Sequence, residues 1–339
     1  MRLSRRSAVL SATLAIVAAA IAAFNWQPIT GWFRPPSPPE KLTIAISDPL
    51  GSGLVRIAAA QDYFAAEGLE VTLQIHTSGR SALEAAIANQ AALATVGDTP
   101  VMFAVARQAP VSIVATIRSS VNSEGILAWR NRGVSAPAEL KGKTIGVPLG
   151  TSTQFLLSVI LANQGIAMHE VSIRNLQPQH MAAALSAGEV DAIAIWDPWL
   201  IEATKAAGAN GVSFFAEKGY SFQFHLAGRR NFVQNHPATM QKLLRALLRA
   251  EQYLGEHAQE ARAMLIDDTK IDPALFDTIW PNYSLSLTLN QASLNMLEDQ
   301  ARWAISNGLV ETKVVPNFLD AIYLDAMLAV KPAAVSIVR

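Results

Sequence analysis

The 339-residue chain is 51% hydrophobic and carries 27 basic side chains, 27 acidic side chains and no cysteine. That apolar content is enough to bury two ordinary domains, and it excludes disordered and fibrous classes. The missing cysteines exclude disulfides, thiolate metal sites, cysteine nucleophiles and a lipid-bearing cysteine tether.

The first 40 residues hold Arg2, Arg5, Arg6, Arg34 and Glu40, which leaves 23 basic against 26 acidic side chains in the body. A net charge of −3 there argues against a nucleic-acid partner, which needs a basic face. Arg2, Arg5 and Arg6 form a positive n-region ahead of an apolar stretch from Ser7 to Phe24, the pattern of an export signal. Ser4-Arg5-Arg6 resembles the start of a twin-arginine signal, with Ala8 where a bulky aromatic is usual. Ala20-Ile21-Ala22 offers a small-x-small cleavage site, and the stretch approaches the length of an uncleaved anchor, so both readings stand. Arg34-Pro35-Pro36-Ser37-Pro38-Pro39 reads as a stiff spacer, which places residues 1–40 outside the fold.

From Leu42 onward, β-branched runs alternate with helical stretches, the pattern of parallel strands covered by helices. Strands are predicted at Leu42–Ile46, Val71–Ile75, Ala92–Val96 and Val111–Ile117, with helices at Leu54–Glu67, at Ser81–Asn89 and from Pro100. Glu124–Trp129 reads as a connecting strand. A second series follows: a short helix around Ala138–Lys143, strands at Thr144–Val147, Val171–Asn175 and Asp191–Ile195, and helices at Thr153–Asn163 and Met181–Ala187. Phe222–Ala227 is the candidate for a second crossing strand, with an almost wholly helical tail behind it. The predicted fold class is α/β with two lobes: 41–130 begins the first lobe, 131–225 forms the second, and 226–339 returns to the first. Two crossings imply a hinge, and a hinge implies a cleft. Met240–Leu254 and Leu294–Ile305 have helical apolar spacing and read as core-facing scaffold.

Four segments run from a strand end into a helix start with glycine or hydroxyl residues: Asp48 to Gly53, Thr77 to Ser81, Gly97 to Pro100, and Gly150 to Thr153. Free N–H groups at such starts attract anions, and open α/β sheets bind ligands at strand carboxyl ends. Each hydroxyl taken singly also reads as a cap for its own helix. Trp196 follows a strand and either covers a ligand or packs at the strand end. Asp197 precedes a proline at a helix start and reads as an N-cap, with a ligand ammonium or a hinge arginine as other partners. Glu124 and Arg80, judged singly, read first as solvated charges, with a ligand contact as the other reading.

Enzyme motifs fail on their details. Gly150-Thr151-Ser152-Thr153-Gln154 lacks the final glycine of a nucleophile elbow, and no histidine is marked as its base. Gly51-Ser52-Gly53 has Arg56 where a dinucleotide fingerprint needs its third glycine. His76, His169, His180, His225, His236 and His257 show no metal-ligand spacing, and His236-Pro237 reads as a helix start. No catalytic residue, metal or cofactor is expected.

Several phrases, in this order and spacing, resemble the periplasmic binding proteins of importers for aliphatic sulfonates, taurine, nitrate and thiamine-pyrimidine precursors. They are Gly68-Leu69-Glu70-Val71, Gly97-Asp98-Thr99-Pro100, Asn122-Ser123-Glu124, Leu140-Lys141-Gly142-Lys143, Gly150-Thr151-Ser152-Thr153, Gly188-Glu189-Val190-Asp191-Ala192 and Trp196-Asp197-Pro198. The resemblance covers nearly everything from Leu42. It implies a Venus-flytrap clamp in the periplasm, a monomer that delivers a small anionic ligand to a membrane permease and its ATPase (an ABC importer).

The sulfonate branch fits best through Gly97 to Pro100, Trp196 to Pro198 and Gln223-Phe224-His225-Leu226-Ala227. Asn122 to Glu124 and Asn175-Leu176-Gln177-Pro178 look more like taurine binders, yet Phe224 stands where those place an aspartate. The implied cargo is an aliphatic or aryl sulfonate. Taurine, nitrate, another small anion, a membrane-anchored sensory module and a hydrolase remain as other readings. The cysteine-rich motif of pyrimidine-precursor binders is absent. The implied ligand contacts are Asp48, Gly51 and Ser52 on the first loop, Gly79 and Arg80, Asp98 and Thr99, Glu124, Thr151 to Thr153 (with Ser152 between), and Trp196 with Asp197. The first loop departs from the short serine or threonine form usual in sulfonate binders.

Overall fold

The computed structural model describes residues 38–216 and 221–338. The expected signal or anchor and most of the proline-rich spacer lie outside the described residues. The chain divides at Pro39 into two units, and the second, Glu40–Arg339, carries the fold. Among the described residues no helix is long and apolar enough to cross a membrane.

The strands of the first half are β1 (Glu40–Ile46), β2 (Leu69–Ile75), β3 (Leu93–Gly97) and β4 (Val111–Ser120). The middle of the chain supplies β5 (Glu124–Trp129), β6 (Thr144–Val147), β7 (Ser172–Asn175), β8 (Ala192–Trp196) and β9 (Gly211–Phe214). β10 (Phe222–Arg229) and β11 (Tyr283–Thr288) come last. They form a six-stranded sheet in the order β11-β4-β10-β3-β1-β2 and a five-stranded sheet in the order β7-β6-β8-β5-β9. β1, β2 and β3 run parallel, as do β6, β7 and β8, while β10 runs antiparallel to both β3 and β4. These are the two α/β lobes expected from the alternation of strand and helix.

Apolar runs sit at the centre of each sheet because both faces are covered. Ile126 and Ala128 of β5 pack into one core of the second lobe, and Leu127 between them packs into the other. Ala192 and Ala194 of β8 likewise face one core, and Ile193 and Ile195 the opposite one. Strands buried on both faces lose the apolar–polar alternation that marks a half-exposed sheet.

The helices of the first half are α1 (Gly53–Ala60), α2 (Tyr63–Ala66), α3 (Gly79–Ile87) and α4 (Asp98–Ala106). The single helix expected over Leu54–Glu67 is thus two, broken where Asp62 takes a φ of 53°, a left-handed conformation that Asp tolerates better than most residues. α4 starts two residues before Pro100. The second lobe adds α5 (Ser152–Asn163), α6 (Pro178–Ala187) and α7 (Trp199–Ala207). The tail adds α8 (Arg230–Asn235), α9 (Pro237–Glu256), α10 (Ala258–Thr269), α11 (Pro273–Ile279), α12 (Gln291–Ser306) and α13 (Asp325–Val330). α9 buries Met240, Leu243, Leu244, Leu247 and Ala250, and α12 buries Leu294, Leu297, Ala301 and Ala304. This spacing gives each helix one core-facing stripe, the scaffold role expected of both.

The crossings differ from expectation. β5, expected as a connecting strand, pairs with β8 and β9 inside the second sheet, so the chain changes sheets at Val121–Ser123 rather than near residue 130. Asn122 turns this crossing at a φ of 52°, and the Ser120 and Ser123 hydroxyls lie 2.6 Å apart across it. Phe222–Ala227 is not a crossing strand either, because β10 lies wholly within the first sheet between β3 and β4. Its run from Phe222 to Gly228 is buried throughout, and a buried backbone needs ladder partners on both sides. The tail also holds an edge strand, β11, whose alternating serines and leucines place Leu285 and Leu287 inward.

Candidate functional site

The carboxyl ends of β1, β2, β3, β6 and β8, with the loops and helix starts that follow them, meet between the two sheets. A cavity of about 30 Å³ lies there. The first lobe lines it with Asp48, Ser78, Gly79, Arg80, Gly97 and Pro100, and with Phe222 and Phe224 of β10. The second lobe contributes Glu124, Thr151, Ser152 and Trp196.

Seven of the thirteen residues expected at the site therefore come together: Asp48, Gly79, Arg80, Glu124, Thr151, Ser152 and Trp196. Gly51, Ser52, Asp98, Thr99, Thr153 and Asp197 are not among the lining residues, and their hydrogen bonds explain where several of them go. Ser52 donates its hydroxyl to Ser47 O at 2.5 Å and meets Thr95 Oγ1 at 2.8 Å, stitching the first loop to the sheet. Gly51 N donates to Asp48 Oδ1 at 2.8 Å, and Thr99 N donates to Asp98 Oδ1 at 2.7 Å. Thr153 is fully buried with its hydroxyl 3.0 Å from that of Thr151.

Asp197 corrects the N-cap expectation. Helix α7 begins at Trp199 with Pro198 in the cap position, after a cis Asp197-Pro198 bond, and no side chain caps it. Asp197 is buried instead, and its Oδ1 has no partner among the described residues. The capping reading holds at Ser78, whose side chain accepts from Ser81 N at 3.2 Å. It does not hold at the start of α5. Thr151 donates its hydroxyl back to Pro148 O at 2.6 Å, and Ser152 donates to Glu124 Oε1 at 2.5 Å. The first-turn N–H groups of α5 are thus left without a side-chain cap, beside the cavity, where the helix dipole favours negative charge.

Arg80 spans the cleft. Its Nη1 donates to Leu149 O of the opposite lobe at 2.9 Å, while its Nε donates to Glu84 Oε1 one turn further along α3. Gly150 makes room for it, since a Cβ there would lie 2.9 Å from Nη1. The φ of +75° at Gly150 also favours glycine.

The sequence reading missed Arg118, the largest fully buried side chain of the described residues. Its guanidinium pairs with Asp48 Oδ2 at 3.3 Å and stacks on the rings of Phe222, Phe224 and Tyr283 at 4.9, 5.0 and 4.4 Å. Asp48, whose other oxygen accepts from Gly51, is thereby charge-paired at the cavity wall. The signal available was a charge near the end of the apolar run Val111–Ile117. Ser78, Gly97 and Pro100 fall inside the segments singled out by sequence, whereas Phe222 carried no signal of its own.

Burial pushes the Glu124 carboxyl up to about 8, with the Ser152 hydrogen bond opposing and the charge of Asp98 adding to the rise. Burial also raises Asp98 to about 6 and, with help from the Asp48 charge, Asp197 to about 7. At neutral pH Glu124 therefore keeps its proton, and its Oε2 has no partner among the described residues. A protonated carboxyl is a hydrogen-bond donor, so the acid at the cavity wall does not oppose an anion. The arrangement offers an uncapped helix start, one arginine, a neutral carboxyl and three aromatic rings.

A family model described as NMT1/THI5 like matches residues 53–261. The chain belongs to the NMT1/THI5-like family. Among relatives of this NMT1/THI5-like protein, a "Putative aliphatic sulfonates-binding protein" of Bacillus subtilis (strain 168) is 30% identical over 226 residues, covering 66% of this chain and 67% of its own length. The taurine-binding periplasmic protein of Escherichia coli (strain K12) is 26% identical over 200 residues, 58% of this chain and 62% of its own. The alkanesulfonate-binding protein SsuA from Xanthomonas axonopodis pv. citri, solved bound to MOPS, superposes with a TM-score of 0.73 at 23% identity, covering 84% of this chain and 98% of its own. That superposition establishes the two-lobed binding-protein fold.

Proposed function

We propose that this protein is the solute-binding component of an ABC-type importer and captures a small organosulfonate between its lobes. The observation that carries this reading is the uncapped start of α5 at Thr151 and Ser152, set opposite Arg80 and walled by Trp196, Phe222 and Phe224. The sulfonate oxygens take the first-turn N–H groups, the Arg80 guanidinium and the Glu124 proton, and the organic part lies against the rings. A cage of mostly neutral donors suits an anion that is desolvated on closure, because a full buried countercharge is itself costly to desolvate. Arg118 offsets the Asp48 charge, so this carboxylate draws a ligand ammonium only weakly, which disfavours taurine.

On this reading no bond is broken, and the protein acts in the periplasm as a monomer that hands its cargo to a permease and its ATPase. The names of the relatives support the sulfonate class. A thermal-shift screen against alkane and aryl sulfonates, taurine, nitrate and bicarbonate tests it. A ligand that binds only the folded state adds about 2.7 kcal/mol at a hundredfold excess over Kd, which a melt resolves. Alkane or aryl sulfonates are expected to raise Tm, and Arg80→Ala, which removes the charged donor, to shrink the rise. A panel in which no sulfonate shifts the melt overturns the assignment.

A further inference from the structure

The cleft has a second compartment. Outside the inner cavity, and sharing Arg80 and Pro100 with it, lies a groove of about 160 Å³ between α3 and α4. Leu83 and Ile87 of α3 form one wall, and Phe103 and Ala104 of α4 form the other. Both helices start at the inner cavity and run outward, so the groove continues the path that a ligand's anionic end has begun. Gly150 of the opposite lobe lies along it, and Arg107 stacks over the Phe103 ring at 5.2 Å at its outer side.

We infer that this groove is the tail subsite of the cleft, taking the distal apolar part of an organosulfonate too long for the inner cavity, with Arg80 as the bar between the two compartments. The inference rests on the sulfonate reading given above. Three observations support it. The inner cavity, about 30 Å³, has no room for a chain beyond the ligand's anionic end, whereas a 160 Å³ apolar space matches one that holds a benzene ring. The groove is lined mainly by aliphatic and aromatic side chains, and of its charged residues Arg80 is paired with Glu84 and Arg107 lies over the Phe103 ring, which fits a hydrocarbon tail better than a second anion. The bar is a long side chain, nearly half exposed and held by one bond to Leu149 O and a surface ion pair to Glu84, so its stem shifts to let a chain pass while the guanidinium stays at the sulfonate, without unpacking a core.

Titration calorimetry on the whole protein with n-alkanesulfonates from two to ten carbons tests this. Each methylene that enters the groove is expected to tighten Kd by about fourfold until the groove is full. Ala104→Phe, which fills the groove from α4, is expected to flatten the chain-length dependence and leave two-carbon binding unchanged. Ala109→Phe, in the loop after α4 and on the same groove, serves as the second variant should the first lower the melting temperature. Parallel chain-length series in wild type and a folded variant overturn the tail subsite while leaving the sulfonate reading intact. Binding of no sulfonate at any length overturns both.

Discussion

Glu124→Gln isolates the most unusual electrostatic feature of the cleft. The folded protein holds this carboxyl at about 8 against an ordinary value of 4.5, with burial as the main cause. Between those two values the folded state keeps the proton and the unfolded state releases it. Ionisation therefore favours unfolding, and stability falls as pH rises through the window. At about 1.4 kcal/mol per pH unit, Glu124 costs roughly 4 kcal/mol between pH 5 and pH 8. The substituted glutamine has no proton to lose, while its amide oxygen still accepts from Ser152. Urea unfolding without ligand at pH 5, 6, 7 and 8 is expected to show the variant gaining on wild type by a few kcal/mol across the series. Stability curves that stay parallel to within about 1 kcal/mol would show that Glu124 titrates normally, and the neutral-donor account of the site would fail.

Arg118→Ala leaves Asp48, only 11% exposed, without its countercharge and empties the slot between three rings. A loss of about 3–5 kcal/mol is expected by urea unfolding, and a change below 1 kcal/mol would refute the pairing. Gly150→Ala forces an L residue to a φ of +75° and drives a methyl into Arg80. Stability is expected to drop by about 1–2 kcal/mol and sulfonate affinity several-fold, read by melting and calorimetry; unaltered affinity would show that the Arg80 bridge to Leu149 plays no part in closure.

Fold class was legible because the apolar runs of β1, β3, β4, β6 and β8 are separated by helix-length segments, a pattern set by local chain physics. The crossings were not, since a run such as Phe222–Gly228 looks the same whether it links two sheets or fills the middle of one. Only its partners decide, and those lie in β3 and β4, far away in sequence. The site divides along the same line. A hydroxyl at a helix start is visible in sequence, but its direction is not: Ser52 turns to Thr95 in the neighbouring strand, while Ser152 turns to the cleft. Arg118 escaped notice because its cage is assembled from Asp48, Phe222, Phe224 and Tyr283, residues scattered across most of the chain. Asp197 looked like a cap because aspartate before proline commonly is one; burial beside Asp48 and Arg118 gives it a different setting.

The position of β10 has a consequence for how the molecule is made. It occupies the slot between β3 and β4, yet β4 is complete at Ser120 and β10 begins at Phe222. A growing or threading chain thus carries two open strand edges for about a hundred residues before their shared partner arrives, and such non-local pairing is slow to form. The first lobe has no finished sheet until the whole second lobe has passed by.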